Sequence, residues 1–284
     1  MSGASCPARP ALRWFGGKWI LAPWIIQHLP PHRTYVEPFA GAASVLLRKP
    51  RSYAEVYNDL DGDAVALFRV LRDATTGAAL ERRLRLTPFA RDEWQAAYEP
   101  CGDDVERAAR LVIRSFMGFG SMGHRIDAST GFRANSNRSG TTPAHDWANY
   151  PDVIPALIER MRGVCIENRD ALACMAQHDG PDTVHYLDPP YLPETRSSGG
   201  YRHDMTADGH VRLLAELLRF SGMIVLSGYP NPQYDAALYG WHRIQRQARS
   251  DGAQPRTEVL WLNPKAASRV TQRGLFDAPM QAAE

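Results

Sequence analysis

Near its N-terminus the chain reads Thr34-Tyr-Val-Glu-Pro-Phe-Ala-Gly-Ala-Ala-Ser-Val-Leu-Leu47, which predicts a short strand, a turn of small residues and the start of an apolar helix. The small residues from Ala40 to Ala43 allow a ligand to approach the backbone closely, and Ser44 is placed to cap the helix. The segment therefore predicts a nucleotide-type cradle. Because Gly41 is the only glycine of the turn, close packing of the strand on the helix is the alternative explanation.

The next strand-like run, at 53–57, is followed by Asn58 and Asp59. In α/β nucleotide-binding folds an acid at the end of the second strand accepts hydrogen bonds from both ribose hydroxyls, since a carboxylate has two oxygens. We expect Asp59 to do this, and we interpret Asp61 and Asp63 as part of a solvated loop and a helix start. A metal site made of three aspartates is the alternative, but the following helix offers no Glu at EF-hand spacing.

A third informative run, Asp188-Pro-Pro-Tyr191, ends the strand-like stretch that begins at Thr183. The prolines fix φ and lack backbone donors, so the carbonyls of this turn can face a ligand that donates hydrogen bonds. An exocyclic amine is such a ligand. Asp188 would accept one amino proton, the carbonyl of Pro189 the other, and Tyr191 would stack on the ring. The alternative is a strand that ends in a proline turn without chemistry.

Alternating strand and helix patterns predict an α/β fold with a largely parallel, doubly wound sheet. The clearest helix runs from Thr206 to Phe220, with leucines recurring on one face. The last two strands have no helix between them, which predicts an antiparallel hairpin at one edge. The seven strand-like runs lie near 34–38, 53–58, 164–167, 183–188, 223–228, 242–249 and 257–263.

The region from 63 to 163 shows helical rather than strand periodicity, with helices expected at 65–72, 78–86, 92–98 and 105–116. We therefore expect a catalytic domain made of 1–62 and 164–268 and a helical insertion at 63–163. Loops are expected at 118–124, 125–142 and 194–203. After Pro264 no amphipathic pattern is visible, and we expect a flexible tail at 269–284.

Composition excludes several classes of protein. The 284 residues are 44% hydrophobic and 23% charged, as in an ordinary globular protein. Neither a membrane span nor a signal peptide is visible, so we expect a cytoplasmic protein. The four cysteines form no CxxC pair and no zinc pattern, so we expect reduced thiols and no metal.

The net charge of +2 is too small to indicate a polyanionic partner, but the placement of the basic residues is informative. From Arg114 to Arg138 four arginines stand against the single acid Asp127, among Gly, Ser, Asn and aromatic residues. Such a segment can present a positive surface to phosphates and base edges.

Taken together, the motifs resemble those of the Dam-like DNA adenine-N6 methyltransferases. They occur in the order Arg13-Trp-Phe-Gly-Gly-Lys18, Glu37-Pro-Phe-Ala-Gly-Ala-Ala-Ser-Val45, Asn58-Asp59 and Asp188-Pro-Pro-Tyr191, and the resemblance covers about 11–263. It implies a Rossmann-like, doubly wound seven-stranded methyltransferase sheet with an inserted, mainly helical target-recognition domain. It also implies S-adenosylmethionine as methyl donor and the N6 amine of a flipped-out adenine in duplex DNA as acceptor.

The resemblance also assigns roles to individual residues. It implies a catalytic turn made of Asp188, Pro189, Pro190 and Tyr191. It implies cofactor contacts from Trp14, Lys18, Glu37, Pro38, Phe39, Ala40, Gly41, Asp59, Asp170 and Asp188. The chain departs from the family at Ala43, where a second glycine is frequent.

Three of these residues also fit purely structural roles. Taken alone, Trp14 is typical of a core aromatic and Lys18 of a solvated charge, and Asp170 is placed to cap the helix that follows it.

DNA contacts are expected mainly from the helical insertion. The candidates for phosphate or base contacts are Arg13, Arg125, Arg133, Asn135, Asn137 and Arg138. Duplex DNA is the expected partner, with a separate cognate restriction endonuclease as a possible second partner, and we expect a monomer. Two alternatives are a methyltransferase of another planar amine, in RNA adenine or protein glutamine, and a DNA-binding module without turnover.

Overall fold

The structure of the chain is a computed structural model that describes residues 6–122, 130–135, 140–192, 202–249 and 255–276. Three of the residues expected to contact DNA, Arg125, Asn137 and Arg138, lie outside these ranges. Parts of the loops expected at 118–142 and 194–203 also lie outside them.

The described residues form one seven-stranded sheet. Its strands are β1 (Thr34–Glu37), β2 (Ala54–Asn58), β3 (Cys165–Glu167), β4 (Thr183–Leu187), β5 (Met223–Gly228), β6 (His242–Arg249) and β7 (Pro255–Leu262). Their order is β3-β2-β1-β4-β5-β7-β6. The pairs from β3 to β5 are parallel, and β7 is antiparallel to both β5 and β6. The doubly wound sheet and the hairpin at its edge are therefore confirmed.

Helices fill the connections, and those expected from the sequence form near the expected positions. They are α1 (Ala22–Gln27), α2 (Ser44–Arg48), α3 (Gly62–Arg72), α4 (Ala74–Leu86), α5 (Arg91–Ala96), α6 (Asp104–Met117), α7 (Pro143–Ala148), α8 (Ile154–Met161), α9 (Ala171–His178), α10 (Ala207–Leu217), α11 (Pro232–Ala237) and α12 (Pro264–Phe276), with a short 3-10 helix at Pro151–Val153. Several begin at side-chain caps, as Asp73 does for α4 and Thr206 for α10.

The central strands are buried on both faces. Every residue of β4 and β5 is buried, which explains why these strands read as continuous apolar runs. Strand β2 packs against α3, where the rings of Tyr57 and Phe68 lie 4.5 Å apart. Because β1, β2 and β4 are parallel neighbours, their C-terminal ends lie at the same edge of the sheet.

Helices α3 to α8 lie between β2 and β3, in the region expected as an insertion. Their buried residues, such as Leu80 of α4 and Val112 of α6, belong to the same hydrophobic cluster as Tyr35 of β1 and Val184 of β4. The helical content is as expected, whereas the boundaries of a separate domain at 63 and 163 stay a prediction.

Beyond β7 the chain differs from the expected tail, because α12 continues from Pro264 to Phe276, past the expected boundary at 269. Asn263 precedes Pro264 and accepts a hydrogen bond from the backbone N–H of Ala266 at 2.9 Å. Asn followed by Pro is a helix-start signal that hydrophobic periodicity does not reveal. Ala266 is fully buried, so the start of the helix is fixed to the core.

Two expectations concern membranes and metals. Across the described ranges, no helix is both long and apolar enough to cross a bilayer. The same residues contain no group of three or more His, Cys, Asp or Glu side chains arranged to hold a metal ion.

Candidate active site

The C-terminal ends of β1, β2 and β4 surround a cavity of about 410 Å3. In a parallel sheet this edge is where ligands bind, since adjacent connections leave it in different directions. The cavity is lined by Trp14, Phe15, Gly16, Gly17, Lys18, Glu37, Phe39, Ala40, Gly41, Ala42, Ser44, Asp59, Leu60, Asp61, Asp188, Pro190, Arg202, His203, Asp204, Met205, Thr206 and Gly209. Most of the residues expected to bind a cofactor are thus brought together.

Two of the expected cofactor residues lie elsewhere. The carbonyl of Pro38 accepts a hydrogen bond from the Asn58 side chain at 2.9 Å, so Pro38 joins β1 to β2 behind the cavity. Asp170 is exposed and caps α9, accepting a hydrogen bond from the Ala173 N–H at 3.0 Å. The structural role that the sequence allows for Asp170 is therefore present.

Gly41 and Asp59 form the floor of the cavity. The Gly41 N–H donates to Asp59 Oδ2 at 2.7 Å, and the Asp61 N–H donates to Asp59 Oδ1 at 2.8 Å. Burial raises the pKa of Asp59 to about 6, although both N–H groups favour its carboxylate form. Asp59 is thus fixed at the end of β2, where the sequence placed a ribose-binding acid.

Glycine is required at position 41 for two reasons. Its φ of +47° lies in the left-handed region, and an added Cβ would lie 2.6 Å from Nε1 of Trp14. The indole of Trp14 therefore packs directly against the turn, and it lines the cavity as well. Trp14 is both a packing residue and a site residue.

Two residues further along, Ala43 has a φ of 54° and ψ of 33°, which are left-handed values that glycine adopts without strain. Among the described residues it is the only residue other than glycine with positive φ. Ser44 is the first residue of α2 and the N-cap residue is Ala43, which makes no side-chain cap, so the expectation that Ser44 is a cap is wrong. The helix is instead preceded directly by the left-handed turn at Ala43.

Glu37 is buried at the end of β1 and lines the cavity. Its Oε2 accepts hydrogen bonds from the Tyr35 hydroxyl at 2.9 Å and from the Leu46 N–H at 3.0 Å. Burial raises the pKa of Glu37 to about 8 despite these donors. A cation bound in the cavity would favour the carboxylate form of Glu37.

Asp61 and Asp63 form the helix start that the sequence predicts, but they are not part of a solvated loop. Asp61 is buried and caps α3 by accepting a hydrogen bond from the Asp63 N–H at 2.9 Å. Asp63 pairs with Arg107 and Arg114 of α6, each at 3.1 Å. Arg202, on the cavity wall, lies 3.2 Å from Asp61 and 3.3 Å from Asp63. Both acids are paired with arginines from distant parts of the chain, which no local pattern reveals.

Asp188 lies at the end of β4 with a basic and a hydroxyl partner. The ammonium of Lys18 is 3.0 Å from Asp188 Oδ1 and also donates to the Gly16 carbonyl at 2.9 Å. The Ser227 hydroxyl lies 2.9 Å from the same Oδ1. Lys18 is 5% exposed, so the alternative of a solvated surface charge is wrong. The carboxylate at the cavity edge is thus already paired with a nitrogen cation.

Tyr191 is buried next to Asp188 and is held on several sides. Its hydroxyl donates to Glu258 Oε2 at 3.1 Å. The ring of Tyr229 meets it edge-on, with centroids 4.6 Å apart, and the Lys18 ammonium lies 4.7 Å from its centroid. Pro190 lines the cavity, whereas Pro189 is buried behind it.

The described residues that are expected to contact DNA differ from one another in their exposure and in their partners. Arg133 lies 3.6 Å from Asp146 and donates to the Phe116 carbonyl at 3.2 Å, so its guanidinium is engaged within the protein. Asn135 is exposed. The Arg13 backbone N–H donates to the Ser115 hydroxyl of α6 at 2.8 Å, which fixes the start of the Trp14 segment to the helical region.

Sequence reasoning missed Ser227, Tyr229, Glu258 and the cavity wall at 202–206. One signal was available, because Glu258 opens the otherwise apolar run Glu258-Val-Leu-Trp-Leu262. An acid there has to be paired inside the protein. The other contacts join distant parts of the chain and leave no local pattern.

Comparison with known proteins identifies one family. The model of the D12 class N6 adenine-specific DNA methyltransferases matches residues 14–223. DNA adenine methylase of Salmonella typhi is 26% identical over 250 residues, which cover 84% of this chain and 85% of that protein. DNA adenine methylase of Escherichia coli strain K12 is 37% identical over 191 residues, or 65% of this chain and 66% of that protein. The methylase of Serratia marcescens is 33% identical over 194 residues, or 65% and 67%.

Proposed function

Because this chain belongs to the D12 class of N6 adenine-specific DNA methyltransferases, we propose that its cavity holds S-adenosylmethionine next to a target adenine bound at Asp188. The protein is an adenine-specific DNA methyltransferase, and its family implies S-adenosylmethionine as the methyl donor. The observation that carries the assignment of the site is the Asp188 carboxylate, which pairs with a nitrogen cation at 3.0 Å at the edge of the cavity.

The cavity residues fit such a cofactor in both size and chemistry. The turn at Gly41 has no space for a side chain, which permits close approach to the backbone. Asp59 offers carboxylate oxygens to ribose hydroxyls, and Glu37 offers a buried acid to a cationic amino-acid group. When bound, S-adenosylmethionine supplies an electrophilic methyl group. Trp14 and Phe39 supply apolar walls that exclude water.

Asp188 would act on the acceptor amine. We infer that the target N6 amine takes the position now held by the Lys18 ammonium, donating one hydrogen bond to Asp188 and the other to the Pro189 carbonyl. The carboxylate stabilises the positive charge that develops on the nitrogen, and its orientation is fixed in advance by Ser227. Tyr191 would stack on the base. Correct placement of the amine supplies the remaining acceleration.

An adenine within a duplex cannot reach this turn. Flipping it out of the helix costs about a few kcal/mol of stacking and pairing, part of which stacking on Tyr191 would restore. We propose that the helical region 63–163 reads the flanking bases. Among the described residues, Asn135 of this region and Arg13 near the N-terminus are the candidate contacts. Contact through Arg133 would require its bonds to Asp146 and Phe116 to break.

Transfer of labelled methyl from S-adenosylmethionine to unmethylated duplex DNA tests the proposal, followed by nucleoside analysis of the product. We expect labelled N6-methyladenine from the native enzyme and none from Asp188→Ala. Asp182→Ala is the matched control, because Asp182 lies just before β4 at its opposite end, where it pairs with Arg269 at 3.3 Å. Label in RNA or protein rather than DNA would contradict the proposal, as would full activity of Asp188→Ala.

A further inference from the structure

Glu258 is the buried acid nearest the catalytic turn that the mechanism above leaves without a role. It lies on β7, and Val259 of β7 pairs with Gly228, the last residue of β5. Glu258 therefore lies one residue beyond the end of β5, at the same sheet edge as Asp188. Its side chain is 7% exposed. An acid buried in this way needs a partner.

That partner is Tyr191, whose hydroxyl donates to Glu258 Oε2 at 3.1 Å. We propose that Glu258 is a positioning residue that fixes the ring of Tyr191 for stacking on the flipped adenine. The inference rests on the proposed function and adds to it a residue from the antiparallel part of the sheet. Glu258 acts through Tyr191 and is not expected to touch the substrate.

The neighbours of Tyr191 show why a hydroxyl partner matters. The ring meets the edge of Tyr229, with 72° between the ring planes, and the Lys18 ammonium lies over its face. Both of these contacts involve the ring and not its hydroxyl. The hydrogen bond to Glu258 adds a directional contact at the far end of the ring, which restricts its side-chain torsions further.

The charges around Glu258 fit this role. Burial raises its pKa, the Lys18 ammonium opposes this shift, and Asp188 adds to it. In either protonation state a carboxyl oxygen remains able to accept the Tyr191 hydrogen. Removal of Glu258 takes away this acceptor of the Tyr191 hydroxyl, and loss of a directional bond inside the protein lets the ring shift.

A mutant cycle on the full-length enzyme separates positioning from a purely structural role. Glu258→Gln keeps an acceptor, Glu258→Leu removes it at similar size, and Tyr191→Phe removes the donor. We expect Glu258→Leu to lower kcat about tenfold with little change in KM for S-adenosylmethionine, and Glu258→Gln to stay within about threefold of native. In the Tyr191→Phe background, Glu258→Leu should have an effect of less than about twofold.

The matched control is Thr257→Ala, since Thr257 is the next residue of β7 and bonds to Gln247 at 3.0 Å. We expect its kcat to be native. An equal loss from Glu258→Leu in both backgrounds, or a Gln variant as slow as the Leu variant, would overturn the inference.

A second measurement does not depend on DNA methylation. With 3-fluorotyrosine in place of Tyr191, the fluorine resonance reports the state of the phenol in the resting protein. We expect Glu258→Leu to shift or broaden it and Thr257→Ala to leave it unchanged. An unchanged resonance with Glu258→Leu would contradict the inference, whereas absence of N6-methyladenine from the native enzyme would contradict the proposed function instead.

Discussion

The cofactor side and the DNA side of this enzyme differ in how firmly the fold holds their residues. Glu37, Asp59 and Asp188 follow the ends of three adjacent strands, so the sheet itself brings them to one cavity. The residues expected on the DNA side come from segments between helices. One of them, Arg133, bonds within the protein. The position of a residue at a strand end can therefore be predicted from the sequence more directly than the position of a residue in a connecting segment.

The largest expected effect concerns the ionic cluster that joins the helical region 63–163 to the sheet. Arg160 of α8 donates to Glu55 of β2 at 2.6 and 2.9 Å, and Lys49 donates to the same carboxylate at 2.6 Å. Burial opposes ionisation of Glu55, but the Arg160 hydrogen bond and Lys49 lower its pKa. Arg160→Met should reduce the free energy of unfolding by about 3 kcal/mol, because it leaves a buried charge only partly paired.

Urea denaturation measures this effect, with Arg162→Met as control. Arg162 lies two residues along, and its side chain is 80% exposed. We expect little change from the control and a single unfolding transition in every variant, since the helices share their hydrophobic cluster with the sheet. Two separate transitions would instead establish the helical region as an independent domain.

The next largest effect is expected at Gly41. Gly41→Ala combines left-handed strain of about 1–2 kcal/mol with a contact that must displace Trp14. Gly240→Ala supplies the strain alone, because Gly240 has a φ of +85° and open space around it. Calorimetry should show S-adenosylmethionine affinity reduced at least about tenfold, or 1.4 kcal/mol, by Gly41→Ala and unchanged by Gly240→Ala. Equal affinities of the two variants for S-adenosylmethionine would show that Trp14 does not contribute to cofactor binding.

Most of the residues predicted to contact the cofactor line the cavity, and the reason is physical. Strand ends, small-residue turns and the Asp188 turn are local patterns, and parallel topology brings them together. Contacts between distant segments have no such pattern, so the pairing of Asp61 and Asp63 with arginines and the bond from Tyr191 to Glu258 could not be derived. Helix α12 was missed although it is about as amphipathic as α10 and although Asn263 and Pro264 mark its start.

A pH dependence follows from the acids of the cavity. Burial raises the pKa of Glu37 to about 8, so this carboxyl is mostly protonated at pH 7 in the free enzyme. A cationic ligand stabilises the carboxylate, so binding should release a proton below pH 8. Affinity for S-adenosylmethionine should therefore rise between pH 6 and 8, by at most about tenfold per pH unit.

Titration calorimetry in buffers of different ionisation enthalpy measures that proton release. Glu37→Gln should flatten the profile above pH 7. Asp59, with a pKa raised to about 6 by burial, would contribute only at the lower end of the range. If the affinity of the native enzyme for S-adenosylmethionine did not depend on pH, Glu37 would not be the partner of the bound cation.

A smaller effect is expected on the DNA side. Arg13→Ala should weaken binding equally for all DNA sequences and reduce the salt slope of log affinity by about one, because one phosphate contact is lost. Arg243→Ala is the control, since this arginine of β6 is engaged by Asp235 at 3.1 Å. A change in sequence preference, with an unchanged slope, would reassign Arg13 to a base contact.

The smallest effect is expected where the chain departs from its family. Ala43 has left-handed φ and ψ with no glycine to accommodate them, and its side chain is fully buried. Ala43→Gly removes strain of about 1–2 kcal/mol, but it makes the unfolded chain more flexible by about 0.4–1 kcal/mol. Thermal denaturation should thus show a variant that is stabilised by at most about 1.6 kcal/mol, with unchanged cofactor affinity. A marked destabilisation would mean that packing of this methyl group, rather than the backbone, determines the residue at this turn.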